Sequence, residues 1–239
     1  MPRDANFNEM NSRFFEGNND NAPSAASPRS SMKHSKWPHT RSEQQATPGV
    51  NRTGGRPHRD ELLYLEGYLW DPPGAREAMR RAIEIAKDAG RAVALSLSDP
   101  FCVDRHRTDF LDLVDNDVDN LFANELELTS LYGTDDLDKA FNEVVPLVKV
   151  AAVTRGEHGA VVVGDGEVHV VVADPATQVV DTTGAGDLFA AGFLAGWTQG
   201  RNLHDCGRMG AVAAAEVISH LGARPAADIK ALMAERVPA

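Results

Sequence analysis

Residues Asp181–Leu194 read DTTGAGDLFAAGFL. Gly184, Ala185 and Gly186 are nearly bare backbone, and a strongly apolar run follows them. Amides at the start of a helix have no partner within it, and the helix dipole adds positive potential there. Small residues at that point let an anion reach those N–H groups, the physics of a phosphate-binding helix terminus. Asp187 is then out of place, because a carboxylate repels phosphate. It has a purpose if it accepts the proton of a hydroxyl that attacks phosphorus, since phosphoryl transfer needs donors for the moving group and a base beside the nucleophile. An isolated Gly-x-Gly-Asp is explained as well by a first-turn acid that helps a helix start. The helix behind this one, LFAAGFLAGW, is so rich in small and apolar residues that it belongs deep in a fold.

Working outward, strand and helix patterns alternate. LLYLEGYLW from Leu62 is strand-like, and PPGAREAMRRAIEIAKDAG has the apolar spacing of an amphipathic helix with prolines at its entry and Gly90 at its exit. RAVALSLSD is a nearly continuous apolar strand, as in a sheet covered on both faces. RTDFLDLVDN predicts a short helix, NLFAN a strand, and ELELTSLYG and DLDKAFNEVVPLV two helices. VKVAAVT, GAVVVGD and EVHVVVAD predict three strands, the last two a hairpin over Gly164-Asp165-Gly166. Long helices follow over about 185–199 and 203–220, and AADIKALMAE closes the chain. This order predicts an α/β class with a mostly parallel sheet.

The first 60 residues are different. They contain no leucine or isoleucine and one valine, Val50, with nine Lys or Arg against six Asp or Glu. Such a segment cannot bury enough apolar surface to offset its ordering entropy, so residues 1–60 are expected to be disordered or unrelated to the domain at 61–239. The whole chain has a net charge of −11, which argues against nucleic acid as a partner. No apolar run is long enough for a membrane span, no secretory signal opens the chain, and the two cysteines, Cys102 and Cys206, form no CxxC pair. A cytoplasmic location is expected. Nothing in the sequence specifies an oligomeric state.

DTTGAGDLFAAGFL resembles the second signature of the PfkB, or ribokinase-like, family of carbohydrate and nucleoside kinases, and the resemblance runs over roughly residues 61–239. It implies a three-layer α/β/α fold and transfer of the ATP γ-phosphate to a hydroxymethyl oxygen of a sugar or nucleoside. By that resemblance Asp187 is the catalytic base, and the amides of Gly184, Ala185, Gly186 and Asp187 form the anion hole. Asn124-Glu-Leu-Glu127 resembles the family's N-x-x-E motif, in which Asn124 and Glu127 organise Mg²⁺ and phosphates through water. As bare sequence, Asn124 reads equally as a helix cap with acids in the first turn. Thr154–Gly159, TRGEHG, matches the family's T-x-G-x-x-G, which puts Thr154, Gly156 and Gly159 beside the nucleotide; a plain turn between strands reads as well. Asp181 and Thr183, with Val217, His220 and Gly222 of VISHLGA, match positions that hold a monovalent cation such as K⁺ in several members, although Asp181 also suits a turn bonding its own backbone. The helix GRMGAVAAAEVISH, with Ala211, would line the adenine pocket or simply pack closely. His106, in the basic RHR triplet, is expected to be solvated.

The family's substrate-binding half, with its early aspartate, lid sheet and first signature, has no counterpart in residues 1–60, whose bias would suit a replaced N-terminus or a shifted frame. The expectation is therefore weak or absent turnover for this chain alone. LYLEGYLWDPP resembles the segment after the lid in adenosine-kinase-like members, which puts a nucleoside ahead of a sugar as acceptor. The alternative is a catalytically impaired nucleotide-binding fragment.

Overall fold

A computed structural model describes residues 62–176 and 178–238, and the expectation for residues 1–60 lies outside them. Six strands form one sheet in sequence order: β1 (Leu62–Glu66), β2 (Ala92–Ser96), β3 (Asn120–Asn124), β4 (Val150–Thr154), β5 (Ala160–Gly164) and β6 (Glu167–Val171). The first four run parallel, and the β5–β6 hairpin joins antiparallel to β4.

Helices connect the parallel strands: α1 (Pro73–Asp88) after β1, α2 (Pro100–Asn116) after β2, and α3 (Glu125–Tyr132) with α4 (Leu137–Val144) after β3. Then come α5 (Ala185–Thr198), α6 (Leu203–Val217) and α7 (Ile229–Arg236). The strands are apolar on both faces because both are covered. Leu121, Ala123, Ala151, Val153, Val161 and Val163 join the core with residues of α1 to α4. Their alternates Phe122, Val150, Ala152, Ala160 and Val162 pack with Phe189, Phe193 and Cys206 of α5 and α6. This is a three-layer α/β/α arrangement, with α1–α4 against one face and α5–α6 against the other.

Two elements differ from their sequence reading. The strand in LLYLEGYLW stops at Glu66 and gives way to a 3₁₀ turn at Gly67–Trp70, because the backbone passes against β2's exit: a Cβ on Gly67 would lie 2.6 Å from the Leu97 carbonyl oxygen. Helix α2 begins at Pro100, seven residues earlier than expected, since Asp99 accepts from the amides of Phe101 (2.7 Å) and Cys102 (2.9 Å) and Pro100 takes the first helical position. The C-terminal helix is tied down by Asp174, whose buried carboxylate is paired with Arg208 (2.8 Å) and with Arg236 of α7.

Candidate active site

Parallel strands deliver all their carboxyl ends to one edge of the sheet, and in open α/β sheets ligands bind in the crevice beyond that edge. Glu66 of β1 stands level with Ser96 of β2, and Asn124 of β3 level with Thr154 of β4. The start of α5 is at the same place, since Asp187 lies close enough to Glu66 and Glu127 for its charge to raise their carboxyl pKa values.

The Gly184–Asp187 turn opens α5 without a side-chain cap. Gly184 is the N-cap at φ 80°, a left-handed conformation that a side chain resists, and Ala223 lies where its Cβ would go (2.8 Å). No side chain caps these first amides, and the Ala185 amide donates to the Thr182 carbonyl oxygen at 3.2 Å. Gly186 and Asp187 are exposed, and a Cβ on Gly186 would meet nothing.

Asn124 and Glu127 make a complete capping box. The Asn124 side chain accepts from the Glu127 amide (2.8 Å), while the Glu127 carboxylate accepts from the Asn124 amide (2.8 Å) and side-chain amide (2.7 Å). The structural and functional readings of the motif are therefore not exclusive. The box fixes a carboxylate that is only 5 % exposed, and burial, reinforced by the charges of Asp99 and Asp187, pushes its pKa up to about 7. An acid whose folded pKa exceeds its unfolded value keeps its proton on folding. Its contribution to stability is therefore favourable below about pH 4.5 to 7 and declines as pH rises through that window, levelling off above pH 7. Wild-type melting temperature should fall across that window by more than that of Glu127→Gln, and Mg²⁺–ATP binding should strengthen as Glu127 ionises. Parallel pH slopes for the two proteins would remove Glu127 from both roles.

Thr154 ends β4, its hydroxyl 3.5 Å from the Ala123 carbonyl oxygen. Gly156 has φ 57° and open space around it, so backbone is accessible there. Gly159 serves the turn instead: at φ 81° its Cβ position is 2.0 Å from the Val171 carbonyl oxygen, and its own carbonyl accepts from the Arg155 amide at 2.7 Å.

Asp181 clamps the approach to α5. One carboxylate oxygen accepts from the Thr183 amide (2.9 Å) and the other from the Gly222 amide (3.0 Å); the Thr183 side chain first, then these two amides, hold its pKa down at about 2. The turn before α5 is thus bonded to the loop after α6. Of the remaining expected residues, Val217 and Ala211 are buried, Ala211 in the core between α5, α6 and the sheet. His106 is not solvated as expected. Its side chain is 11 % exposed and its Nε2 lies 2.7 Å from Asp71 Oδ1.

Sequence reasoning missed Glu66 and Tyr64. Burial and the charge of Asp187 raise the Glu66 carboxyl, and burial with nearby acids raises the Tyr64 phenol well above its ordinary range. The apolar-polar alternation of LYLE was the available signal, since it puts the polar tips of residues 64 and 66 on one face. Ser98, which no motif singles out, has φ 72° just past β2, a strained backbone of the kind that gathers at functional crevices.

Comparison with known proteins gives the class first: the architecture is ribokinase-like, shared with solved sugar and nucleoside kinases. The chain belongs to the pfkB family of carbohydrate kinases, whose family model matches residues 58–230. A probable sugar kinase from Rhizobium etli is 50 % identical with a TM-score of 0.71, the match covering 73 % of this chain and 53 % of that one. Adenosine kinase from Sinorhizobium meliloti is 48 % identical, also with a TM-score of 0.71, over 73 % of this chain and 54 % of its own. Cytidine kinase from Thermococcus kodakarensis is 39 % identical over 119 residues, 48 % of this chain and 42 % of its own. The chain spans about half of the length of these relatives, or somewhat less.

Proposed function

We propose that this chain carries the phosphate-binding and base-bearing part of an ATP-dependent phosphotransferase that moves the γ-phosphate to a hydroxyl of a nucleoside, adenosine in the first instance, or of a sugar. The single observation behind this reading is the exposed, glycine-lined start of α5 with Asp187 in its first turn, at the carboxyl edge of the parallel sheet. Amides of Gly184, Ala185, Gly186 and Asp187 receive the transferring phosphoryl oxygens, and Asp187 takes the proton of the attacking alcohol. Glu66 adds a second polar group on the acceptor side. Thr154 and Gly156 contribute a hydroxyl and accessible backbone for the nucleotide.

Asn124 and Glu127 suit Mg²⁺ held through water, because oxygen donors fit a hard cation that keeps its hydration shell and Glu127 is too buried for broad direct contact. When bound, Mg²⁺ neutralises charge on the phosphates. Asp181, each of whose oxygens already accepts from one amide, would bias a monovalent cation by charge while loop carbonyls supply its ligands.

Nucleoside is placed ahead of sugar on the LYLEGYLWDPP segment and on the adenosine and cytidine kinases among the relatives. A second reading is a nucleotide-binding piece with little turnover; the match spans about half of the relatives' length.

Thermal shift with ATP–Mg²⁺, adenosine, cytidine, pentoses and hexoses tests both. ATP–Mg²⁺ at a hundred times its Kd should raise the melting temperature by about 5–10 °C, from a linkage of about 2.7 kcal/mol. A further rise with one acceptor supports the first reading. A response to ATP alone supports the second, and no response to ATP–Mg²⁺ contradicts both.

A further inference from the structure

Away from the phosphate-binding turn, three chemically different ligands converge. One potential ligand atom each from Asp71, Cys102 and His106 lies within 4.8 Å of the other two. Asp71 follows the 3₁₀ turn after β1, and Cys102 and His106 are one turn apart on α2. That i, i+4 spacing aims two side chains at one point, as in helical metal-chelating pairs. The helix departs from regular geometry at His106 (φ −121°, ψ 20°), whose ring sits against Asp71 and edge-on to Phe110. Cys102 is fully buried, its thiol 3.3 Å from the Gly67 carbonyl oxygen.

We propose that Asp71, Cys102 and His106 form a three-ligand site for a borderline-soft divalent cation of the Zn²⁺ class, distinct from the phosphate site and fastening the turn after β1 to α2. Sulfur and imidazole donors select this class over Mg²⁺ or Ca²⁺, which take oxygen. Tetrahedral zinc with bonds of about 2.0–2.3 Å needs ligand atoms about 3.3–3.8 Å apart, so side-chain adjustments of about 1 Å complete the set. A water fills the fourth position. The metal–sulfur bond forms as the S–H bond breaks and its proton leaves to solvent, while the His106 imidazole, its one proton moved to the ring nitrogen that does not face the metal, gives a lone pair and Asp71 binds as the carboxylate. One proton is therefore released per metal, and thiolate and carboxylate balance the dication. Arg105, whose guanidinium lies 2.9 and 3.2 Å from the two Asp71 oxygens, stays as an outer partner that orients the carboxylate.

The test is Co²⁺ titration of the whole reduced chain, followed by optical absorption. Cys102 and Cys206 are the chain's two cysteines, so a thiolate-to-cobalt charge-transfer band reports one or the other, and metal held by histidines elsewhere gives no such band. The expected result is a band that saturates at one equivalent, releases one proton per metal and is bleached by Zn²⁺. Cys102→Ser should abolish it, His106→Gln should weaken cobalt binding at least ten-fold, and Cys206→Ser should leave it intact. No band in the wild-type chain, or a band that survives Cys102→Ser, overturns the site. If Cys102→Ser does not fold, Cys206→Ser decides: a band retained there assigns the thiolate to Cys102, and a band lost there overturns the site. ATP is absent throughout, so failure here leaves the phosphotransferase reading untouched.

Discussion

Replacing Asp187 by asparagine should lower phosphoryl transfer by about 10²–10⁴-fold, the range a positioned general base contributes. The same change should tighten ATP binding, which separates loss of chemistry from loss of fold. Asp187 is exposed in the first turn of the helix that would receive the γ-phosphate. Two like charges about 4 Å apart in water repel by about 1 kcal/mol, so removing one should improve the ATP dissociation constant about five-fold. Calorimetry with a non-hydrolysable ATP analogue reads the binding change, and a coupled assay with the acceptor chosen by thermal shift reads turnover. If the chain alone turns over little, the binding arm still decides. An Asp187→Asn protein that binds ATP more weakly than wild type, or transfers phosphate as fast, would remove the carboxylate from the role given to it.

Gly192→Val should destabilise the fold strongly, although it lies outside the crevice. Gly192 lies on α5 where it crosses α6, and a Cβ there would stand 2.5 Å from the Met209 carbonyl oxygen and 2.9 Å from Gly210 Cα. Gly210 meets Phe189 in the same way, at 2.7 Å from its carbonyl oxygen. The two helices touch backbone to backbone, so no flexible side chain can give way. A valine must push them apart by roughly 1 Å, at a cost of about 3 kcal/mol. For a domain of this size that is a fall of roughly 6–12 °C in melting temperature. Because the start of α5 moves with it, nucleotide response should fall too. Gly186→Ala is the control: its Cβ meets open space and alanine favours helix, so stability should hold or rise while anion access narrows. Equal melting temperatures for Gly192→Val and wild type would mean that the helix contact is looser than described.

Much of this was legible in the sequence for reasons that can be named. Bare residues ahead of an apolar helix give an open amide terminus wherever they occur, so the Gly184–Asp187 turn could be read directly, and so could the Gly164-Asp165-Gly166 hairpin. The apolar strands announced a sheet covered on both faces, as found. What escaped depends on distant partners. β1 ends at Glu66 because Gly67 meets the Leu97 carbonyl from the neighbouring strand's exit, which no local pattern encodes. The early start of α2 did carry a local signal, the Asp99-Pro100 pair at cap and first helical position, obscured by the apolar tail of the strand before it. His106 looked solvated within a basic triplet, but its partner Asp71 is 35 residues earlier. The capping role of Glu127 and the site role proposed for it were both readable; its burial, and hence its raised pKa, was not.

On the proposed function, the amides opening α5 hold the terminal phosphate of a nucleotide. Amide chemical shifts of the ¹⁵N-labelled chain during ATP–Mg²⁺ titration test it residue by residue. The largest downfield movements should fall on Gly184, Ala185, Gly186 and Asp187, with ADP moving them much less. Those four signals staying in place while ATP–Mg²⁺ saturates the protein would contradict it.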